Sequence, residues 1–344
     1  MCLTIKTESK LALPRRIGSL LGSMLLAVVL CLLLVLALSW ARMVWVEEKT
    51  PQQAAPQPGR WLRAHDVDIY IQEFGSPTAP PLLLTHGTGA WSGTWDQNVQ
   101  ALAASGYRVI AMDLPPFGFS TRPTSRDYSR AAQALRIAGL IDALKLGPVT
   151  LLGHSYGGGP AAEAAMRQPD RVSHLILLDA AIGLKPQMSS APTKPDVGVA
   201  AAVLDRRPVR TALIATVGTQ PLFSEFWLRQ FVARKEVVTA QRTAIYRQPF
   251  VVHDFSASLG DWAAQFASEH GAFLSEQPDG FSKLVMPLTL VWGELDSITP
   301  LSQAETIRKL VPSAKLVVLP GVGHIPQIEN AALFNQAMGV VLRR

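Results

Sequence analysis

Short apolar runs alternate with amphipathic segments over most of the chain. An uninterrupted apolar run is typical of a strand buried in a parallel sheet, and apolar positions at helical spacing indicate a helix that covers the sheet. The runs predict strands at 81–87, 108–114, 149–155, 171–180, 287–296 and 314–324. The segments between and after them predict helices at 94–104, 129–146, 157–168, 300–311 and 328–342.

Polar and apolar residues alternate around Asp66 to Asp68, which predicts a β-hairpin ahead of the first buried strand. Strands that alternate with helices belong to an α/β fold, in which a mostly parallel sheet carries helices on both faces. We therefore predict this architecture for 61–184 and 284–344.

The segment 185–283 breaks the alternation because it contains no convincing buried strand. Its helical pattern predicts a helical cap inserted between two strands of the sheet. We expect most of its aromatic side chains to pack within the cap and a few to line a pocket. They are Phe223, Phe226, Trp227, Phe231, Tyr246, Phe250, Phe255, Trp262 and Phe266.

An uncharged apolar stretch occupies 17–41 near the N-terminus. As a helix it would extend for roughly 37 Å, which is enough to cross a bilayer. The basic residues Lys6, Lys10, Arg15 and Arg16 precede it, so the positive-inside rule places 1–16 in the cytoplasm and the rest outside. A cleaved signal peptide, which would leave a secreted protein, is the alternative.

The stretch 42–60 contains a part rich in Pro, Gln and Ala, at 47–60, and it predicts a semi-rigid spacer between a membrane anchor and the folded body. The net charge of +6 does not indicate a nucleic-acid partner, because the chain has no basic stripe interleaved with aromatic residues. Both cysteines, Cys2 and Cys31, lie in the N-terminal segment. A disulfide framework or a cysteine metal site is therefore excluded for the rest of the chain.

The motif Gly-His-Ser-Tyr-Gly, at 153–157, follows a predicted strand and opens a small-residue helix. This is the context of a nucleophile elbow, in which a strained turn presents the serine at the carboxyl edge of the sheet. We predict that Ser155 is the nucleophile. Because a serine hydroxyl needs an adjacent base, partners are expected elsewhere in the chain.

Two later loops supply the expected partners. His324 follows the last predicted strand and is the candidate base, and Asp296 follows the preceding strand and is the candidate carboxylate. The order serine, acid, histidine is that of an α/β-hydrolase triad. Asp179, at the end of the strand 171–180, is the alternative acid.

Backbone N–H groups are expected to stabilise a negatively charged oxygen near the serine. The candidates are those of Tyr156, which follows the nucleophile, and of Thr88, in a glycine-rich loop after the strand 81–87. His86 and His154 flank this region, and we expect them to hydrogen-bond loop backbone. The other histidines lack metal-ligand spacing, and no dinucleotide fingerprint is present, so neither a metal nor a cofactor is predicted.

Four segments together resemble the α/β-hydrolase fold superfamily: 82–120, 149–158, 290–300 and 319–329. The similarity is to the branch that holds small esterases, cofactor-free haloperoxidases and meta-cleavage-product C–C hydrolases. It implies an eight-stranded sheet, a cap after the sixth strand, and a catalytic triad of Ser155, Asp296 and His324.

The resemblance implies hydrolysis of a carboxylic ester through an acyl-enzyme. The aromatic residues of the predicted cap indicate an apolar or aromatic small-molecule ester as substrate. A C–C hydrolase of a ring-fission product is the first alternative, although Ile325 stands where such enzymes often carry a tryptophan. A catalytically silent binding module with this fold is the second. The sequence does not indicate an oligomeric state.

Overall fold

An eight-stranded sheet forms the centre of the fold in the computed structural model, which describes residues 13–184, 205–268 and 273–343. The strands lie in the order β1-β2-β4-β3-β5-β6-β7-β8. Their bounds are β1 Arg60–Ala64, β2 Val67–Phe74, β3 Pro81–Thr85, β4 Arg108–Met112, β5 Val149–His154, β6 Val172–Leu178, β7 Leu288–Gly293 and β8 Lys315–Leu319.

Of the eight strands, β2 is the one whose direction is opposite to the rest, and it pairs antiparallel with both β1 and β4. The strands β4, β3, β5, β6, β7 and β8 are parallel. Their carboxyl ends therefore meet at one edge of the sheet, where ligands bind in open α/β folds. The predicted hairpin is confirmed, with His65 in the left-handed region at φ 56° between β1 and β2.

Helices precede the sheet, cover it and form the insertion between β6 and β7. In chain order they are α1 Leu13–Val46, α2 Pro51–Ala54, α3 Val99–Ala104, α4 Arg130–Ala143, α5 Gly158–Arg167, α6 Arg207–Leu213, α7 Pro221–Phe231, α8 Ala240–Arg247, α9 Phe255–Ser268, α10 Pro278–Ser282, α11 Leu301–Leu310, α12 Pro326–Glu329 and α13 Ala331–Val341.

Two apolar cores lie on opposite faces of the sheet. One packs α4, α5 and α11 against the strands, and the other packs α3 and α13. The predicted α/β architecture with helices on both faces is therefore confirmed. Two predicted helices are each divided in the structure. The prediction at 94–104 corresponds to a 3₁₀ turn at Ser92–Trp95 followed by α3, and the prediction at 328–342 corresponds to the end of α12 followed by α13. Asn330 separates the latter pair, since its side chain accepts the Leu333 N–H and caps α13.

The described part of the segment between β6 and β7 is helical and contains none of the eight strands. It comprises α6 to α10, with a π-helical turn at Ile214–Gly218 after α6. Residues 185–204 and 269–272 of the predicted cap lie outside the described residues. Below, "the cap" denotes α6 to α9 and the turns between them.

The N-terminal helix α1 continues past the predicted end of the apolar stretch at residue 41. Its portion Leu20–Val46 is long and apolar enough to cross a membrane. The predicted spacer after it is held against the body, because Lys49 N–H donates to Val251 O (3.1 Å) and Lys49 O accepts from His253 N–H (2.8 Å). Composition alone indicated a semi-rigid spacer, and these backbone bonds attach the segment to the cap.

Candidate active site

Ser155 lies on a sharp turn at the carboxyl end of β5. Its φ is 50°, a left-handed conformation that is uncommon for a residue with a side chain. The turn fits because Gly157 lies directly against the loop after β3: a Cβ there would be 2.5 Å from His86 O. The strand, turn and helix thus adopt the arrangement that the Gly-His-Ser-Tyr-Gly motif predicted.

His324 joins Ser155 to Asp296. Its Nε2 lies 2.8 Å from Ser155 Oγ, and its Nδ1 lies 2.9 Å from Asp296 Oδ2. All three side chains are buried. The structure therefore brings together the serine, the histidine and the acid that sequence reasoning selected from three separate loops.

The Asp296 carboxylate is fixed by its own loop. Its Oδ1 accepts the N–H groups of Ile298 (2.8 Å) and Thr299 (3.0 Å), and its Oδ2 accepts the Thr299 hydroxyl (2.6 Å). Burial by itself raises the pKa of this carboxyl, but hydrogen bonds from His324 and Thr299 and the charge of His324 hold the pKa below its ordinary value. Asp296 is therefore ionised at neutral pH and favours a proton on His324 Nδ1.

Asp179, the alternative acid, lies beside Asp296. Its Oδ1 accepts the Gly293 N–H (2.8 Å), whereas its Oδ2 is buried and meets no N–H or hydroxyl donor among the described residues. Burial and then the charge of Asp296 raise the pKa of Asp179 well above its ordinary value. A protonated Asp179 carries an O–H that donates to Asp296, and this hydrogen bond accounts for the oxygen that otherwise lacks a partner.

One oxygen or nitrogen atom each of Asp179, Asp296 and His324 lies within 4.8 Å of the other two, which is close enough for a metal. The geometry does not favour one. His324 Nδ1 is directed to Asp296, and its Nε2 is directed to Ser155. The imidazole therefore has no nitrogen turned toward a position between the two carboxyl groups.

The two flanking histidines hold loops, as the sequence analysis expected. His86 Nδ1 donates to Gly87 O (2.9 Å) and its Nε2 accepts the Leu114 N–H (3.0 Å). His154 Nε2 donates to His324 O (2.8 Å). Burial lowers the pKa of His86 to about 4, and burial together with the nearby His324 lowers that of His154 to about 3, so both rings are neutral at pH 7.

The two predicted backbone donors lie on loops beside the serine. Gly87 approaches so closely that a Cβ there would be 2.8 Å from Ser155 Cβ, and the next residue, Thr88, lines the pocket above the serine. The Tyr156 phenol is engaged elsewhere, donating to Tyr128 O (3.3 Å). The side chain of Tyr156 is thus directed away, which leaves its backbone as the part beside the serine.

A pocket of about 270 Å³ opens above Ser155 and His324 between the sheet edge and the cap. Its walls are mainly apolar. The sequence analysis expected a few of the nine aromatic residues at 185–283 to line a pocket, and five of them line this one. They are Trp227, Phe231, Tyr246, Phe250 and Trp262. A second cavity, of about 640 Å³, is lined by Tyr128, Arg130 and Tyr156 among others. Its lining does not include Ser155, Asp296 or His324.

Sequence reasoning missed two residues of this region. Thr299 supports Asp296, and the spacing Asp-x-x-Thr, in which a carboxylate accepts N–H groups two and three residues later, was a usable signal. Arg247 is a half-buried pocket residue that makes no ion pair or side-chain hydrogen bond with the described residues. Nothing in the pattern of α8 distinguishes it from the other arginines of the cap.

The comparisons with known proteins agree with the observed fold. The 2-hydroxymuconate semialdehyde hydrolase of Pseudomonas sp. (strain CF600) is 29% identical over 296 residues, covering 83% of this chain and 94% of the relative. A 2-hydroxy-6-oxononadienedioate/2-hydroxy-6-oxononatrienedioate hydrolase of Dechloromonas aromatica (strain RCB) is 27% identical, covering 79% of this chain and 89% of the relative.

The solved structure of a membrane phospholipase A, described as a bacterial virulence factor, is 27% identical with a TM-score of 0.66. That match covers 94% of this chain and 97% of the other. The profile of the alpha/beta hydrolase fold matches residues 80–331, which is more than half of the chain. The predicted resemblance is thus confirmed, and the chain belongs to the α/β-hydrolase fold family.

Proposed function

We propose that this protein is a membrane-anchored serine hydrolase that cleaves a carboxylic ester through an acyl-enzyme. The observation that carries the proposal is the continuous contact from Ser155 Oγ through His324 to Asp296 at the floor of an apolar pocket. A nucleophile, a base within hydrogen-bond reach and a carboxylate that orients the base are the three parts that acyl transfer needs.

In the first half of the reaction, Ser155 Oγ attacks the acyl carbon while its proton passes to His324 Nε2. The carbonyl oxygen becomes negatively charged in the tetrahedral intermediate, and we assign the backbone N–H groups of Tyr156 and Thr88 as its donors. When the intermediate collapses, His324 gives the proton to the departing alkoxide. The alcohol leaves and the acyl group stays on the serine.

In the second half, His324 takes a proton from a water molecule, and the resulting hydroxide attacks the acyl carbon. Collapse of the second intermediate returns the proton to Ser155 and releases the carboxylic acid. Asp296 keeps the proton of the neutral imidazole on Nδ1 and stabilises the imidazolium that forms in each half. No metal or cofactor is needed for these steps.

An ester with an apolar acyl group fits the pocket walls, which are formed largely by aromatic and aliphatic side chains. The similarity to a membrane phospholipase A supports this class, because that match extends over 94% of the chain. The apolar portion Leu20–Val46 of α1 supports a membrane anchor, and the basic residues that precede it support a catalytic body outside the cytoplasmic membrane. A signal sequence has the same composition, and the mass of the mature chain distinguishes the two.

Hydrolysis of a carbon–carbon bond in a ring-fission product is the second candidate. Two curated relatives carry names of this class, a 2-hydroxymuconate semialdehyde hydrolase and a 2-hydroxy-6-oxononadienedioate/2-hydroxy-6-oxononatrienedioate hydrolase. Arg247 favours it further, because an arginine that lines an apolar pocket and has no partner among the described residues is suited to bind a carboxylate. A silent binding module is disfavoured, since a pure binder does not need all three of Ser155, Asp296 and His324.

A pair of assays on the purified full-length protein distinguishes the chemistries. One follows p-nitrophenyl esters of increasing acyl length, and the other follows the absorbance of a ring-fission dienoate. The proposal expects kcat/KM on the best ester to exceed that on the dienoate at least about 100-fold. A dienoate preference of that size would assign the C–C reaction instead. A folded protein inactive on both substrates, in which Ser155 is also inert, would indicate a binding module.

A further inference from the structure

The last turns of α1 pack against the cap. Ser39, Met43 and Glu47, spaced four residues apart on one face of the helix, are buried, whereas Trp40 and Trp45 are exposed. This part of α1 contacts α6 and the π-helical turn Ile214–Gly218. At its end, the Glu47 carboxylate accepts the Ser256 N–H (3.0 Å) and the Ser256 hydroxyl at the start of α9. The cap is therefore fixed to the outer end of α1.

The length of α1 places these contacts at the surface of a bilayer. About 20 helical residues cross a hydrocarbon core of about 30 Å. Counted from residue 17, where the uncharged stretch begins, such a core ends near Leu36. Leu36 is also the first partly buried side chain in the described part of the helix, and Ser39 is the next. The contact with the cap thus begins where the bilayer core ends.

Beside α1, the cap exposes an apolar surface that we call the cap patch. Six large apolar side chains between residues 213 and 227 are exposed, and the only charged residue in that interval is Glu225. They are Leu213, Val217, Leu222, Phe223, Phe226 and Trp227. The last four fall on one face of α7, at spacings of one and four. A concentration of aromatic and aliphatic side chains on one exposed face indicates an interaction surface.

The cap patch is continuous with the pocket above Ser155. Trp227 belongs to both, since its ring is partly exposed and also lines the pocket. Ile214 and Gly218, at the two ends of the π-helical turn that contacts α1, line the pocket as well. The Trp227 indole N–H donates to Val217 O (2.6 Å), which ties α7 to that turn. A molecule at the patch is therefore adjacent to the wall of the pocket.

We propose that the cap patch lies on the outer leaflet of the membrane that α1 crosses, and that the substrate is an ester lipid that enters the pocket from this leaflet. The inference rests on the proposed function for ester cleavage and for α1 as an anchor. The bilayer is the occupant because the element that contacts the patch region is itself the apolar helix. Exposed aromatic side chains at headgroup depth favour the same partner.

A spin label reports the environment of the patch without reference to activity. Cys2 and Cys31 are the only cysteines, so a Cys2→Ser, Cys31→Ala background accepts one label at Leu222→Cys or at Val285→Cys. The two positions are matched, with exposed fractions of 82% and 78%. Val285 lies just before β7, at the sheet edge opposite the cap. The full-length protein is reconstituted in phosphatidylcholine vesicles and tested with oxygen and a water-soluble nickel chelate as relaxing agents.

The proposal expects the label at 222 to be relaxed by oxygen and shielded from nickel, and the label at 285 to be relaxed by nickel. Relaxation by nickel at both positions overturns the proposal. Shielding from both agents at 222 also overturns it, because a second copy of the chain or another protein then covers the patch.

Activity on two esters tests the access route. The variant Leu222→Glu with Phe226→Glu places two charges on the patch, and neither residue lines the pocket. The control is Val285→Glu with Val340→Glu, which alters two exposed apolar residues at the sheet edge opposite the cap. Val340 lies near this edge because the end of α13 is held there: the Tyr107 hydroxyl, just before β4, donates to Leu342 O. The substrates are p-nitrophenyl palmitate within the vesicles and p-nitrophenyl butyrate in water.

The patch variant should lose about tenfold or more of its activity on the palmitate ester and less than about twofold on the butyrate ester. The control variant should keep its activity on both esters. Unchanged palmitate hydrolysis in the patch variant overturns the inference while ester hydrolysis stands. If the wild-type protein cleaves neither ester but the label at 222 lies in lipid, the proposed function fails and the membrane contact stands.

Discussion

Carboxyl oxygens of Asp179 and Asp296 lie within 4.8 Å of each other in the interior, and the two groups differ in protonation. Asp296 has a lowered pKa because of its hydrogen bonds with His324 and Thr299, which outweigh its burial, and the pKa of Asp179 is raised by burial and by Asp296 itself. Two adjacent carboxylates repel each other unless one carries a proton. The pair is thus an ionised acceptor for His324 supported by a neutral donor.

This division of roles predicts opposite results for the same substitution at the two positions. Asp179→Asn keeps an N–H donor toward Asp296 and an oxygen for the Gly293 N–H, so kcat should stay within about threefold of wild type. Asp296→Asn removes the acceptor that sets the imidazole tautomer and should lower kcat by about 10³ to 10⁴. Steady-state kinetics on a short-chain ester measures both. Loss of activity in the Asp179 variant alone would move the acid to that residue.

The sequence was sufficient for the parts of the site that follow strands. Ser155, Asp296 and His324 each follow an apolar run, and parallel strands end at one edge, so their proximity was predictable. The choice between Asp179 and Asp296 was not, because both follow buried strands. It depends on which carboxylate reaches His324 Nδ1, and therefore on the conformation of the Asp296 loop, in which the Thr299 N–H and hydroxyl donate to Asp296.

The contacts of the cap were also beyond sequence reasoning. The residues 47–60 have the composition of a spacer, yet Lys49 pairs with the backbone near Val252 and Glu47 reaches Ser256. Arg247 became notable only when the structure placed it in the pocket, with no ion pair or side-chain hydrogen bond to the part of the chain that the structure describes. The contacts of Lys49 and Glu47 depend on tertiary packing between segments about 200 residues apart, and the interest of Arg247 depends on what lies around it in the pocket. Local periodicity in the sequence reports neither.

Arg247 should affect recognition of an anionic substrate. Arg247→Met removes the charge while keeping much of the apolar stem, so KM for an acidic substrate should rise about 10- to 100-fold relative to KM for a neutral ester. The two KM values are measured side by side on an ester with a terminal carboxylate and on its methylated analogue. Arg308→Met, on an exposed position of α11, is the control and should leave the ratio unchanged. A ratio that stays the same in the Arg247 variant would exclude this role.

Glu47 should make stability depend on pH. Burial raises the pKa of its carboxyl to about 7, with Asp254 acting in the same direction, while Ser256 and Arg122 act against it. A folded-state pKa above the unfolded value means that the folded protein binds more protons, so stability is lost as pH rises from about 4.5 to about 7. Glu47→Gln should abolish this loss, which is roughly 3 kcal/mol at full size.

Thermal unfolding of both proteins in detergent micelles at pH 5 and pH 8 checks this prediction. The wild type should lose more stability between the two pH values than the Glu47→Gln variant does. Glu48→Gln, which alters the exposed neighbour, should follow the wild type. Parallel pH curves for the wild type and Glu47→Gln would show that the carboxyl titrates at its ordinary value.

The central claim, that Ser155 is a nucleophile activated by His324, is tested most directly with a fluorophosphonate, which reacts covalently with activated serines. The account predicts about one phosphonyl group per chain, located by peptide mass spectrometry on Ser155. Labelling should be absent in Ser155→Ala and slowed at least about 1,000-fold in His324→Ala, with both variants folded. A folded wild-type protein that takes up no phosphonate, or that is labelled on a different residue, would contradict the account.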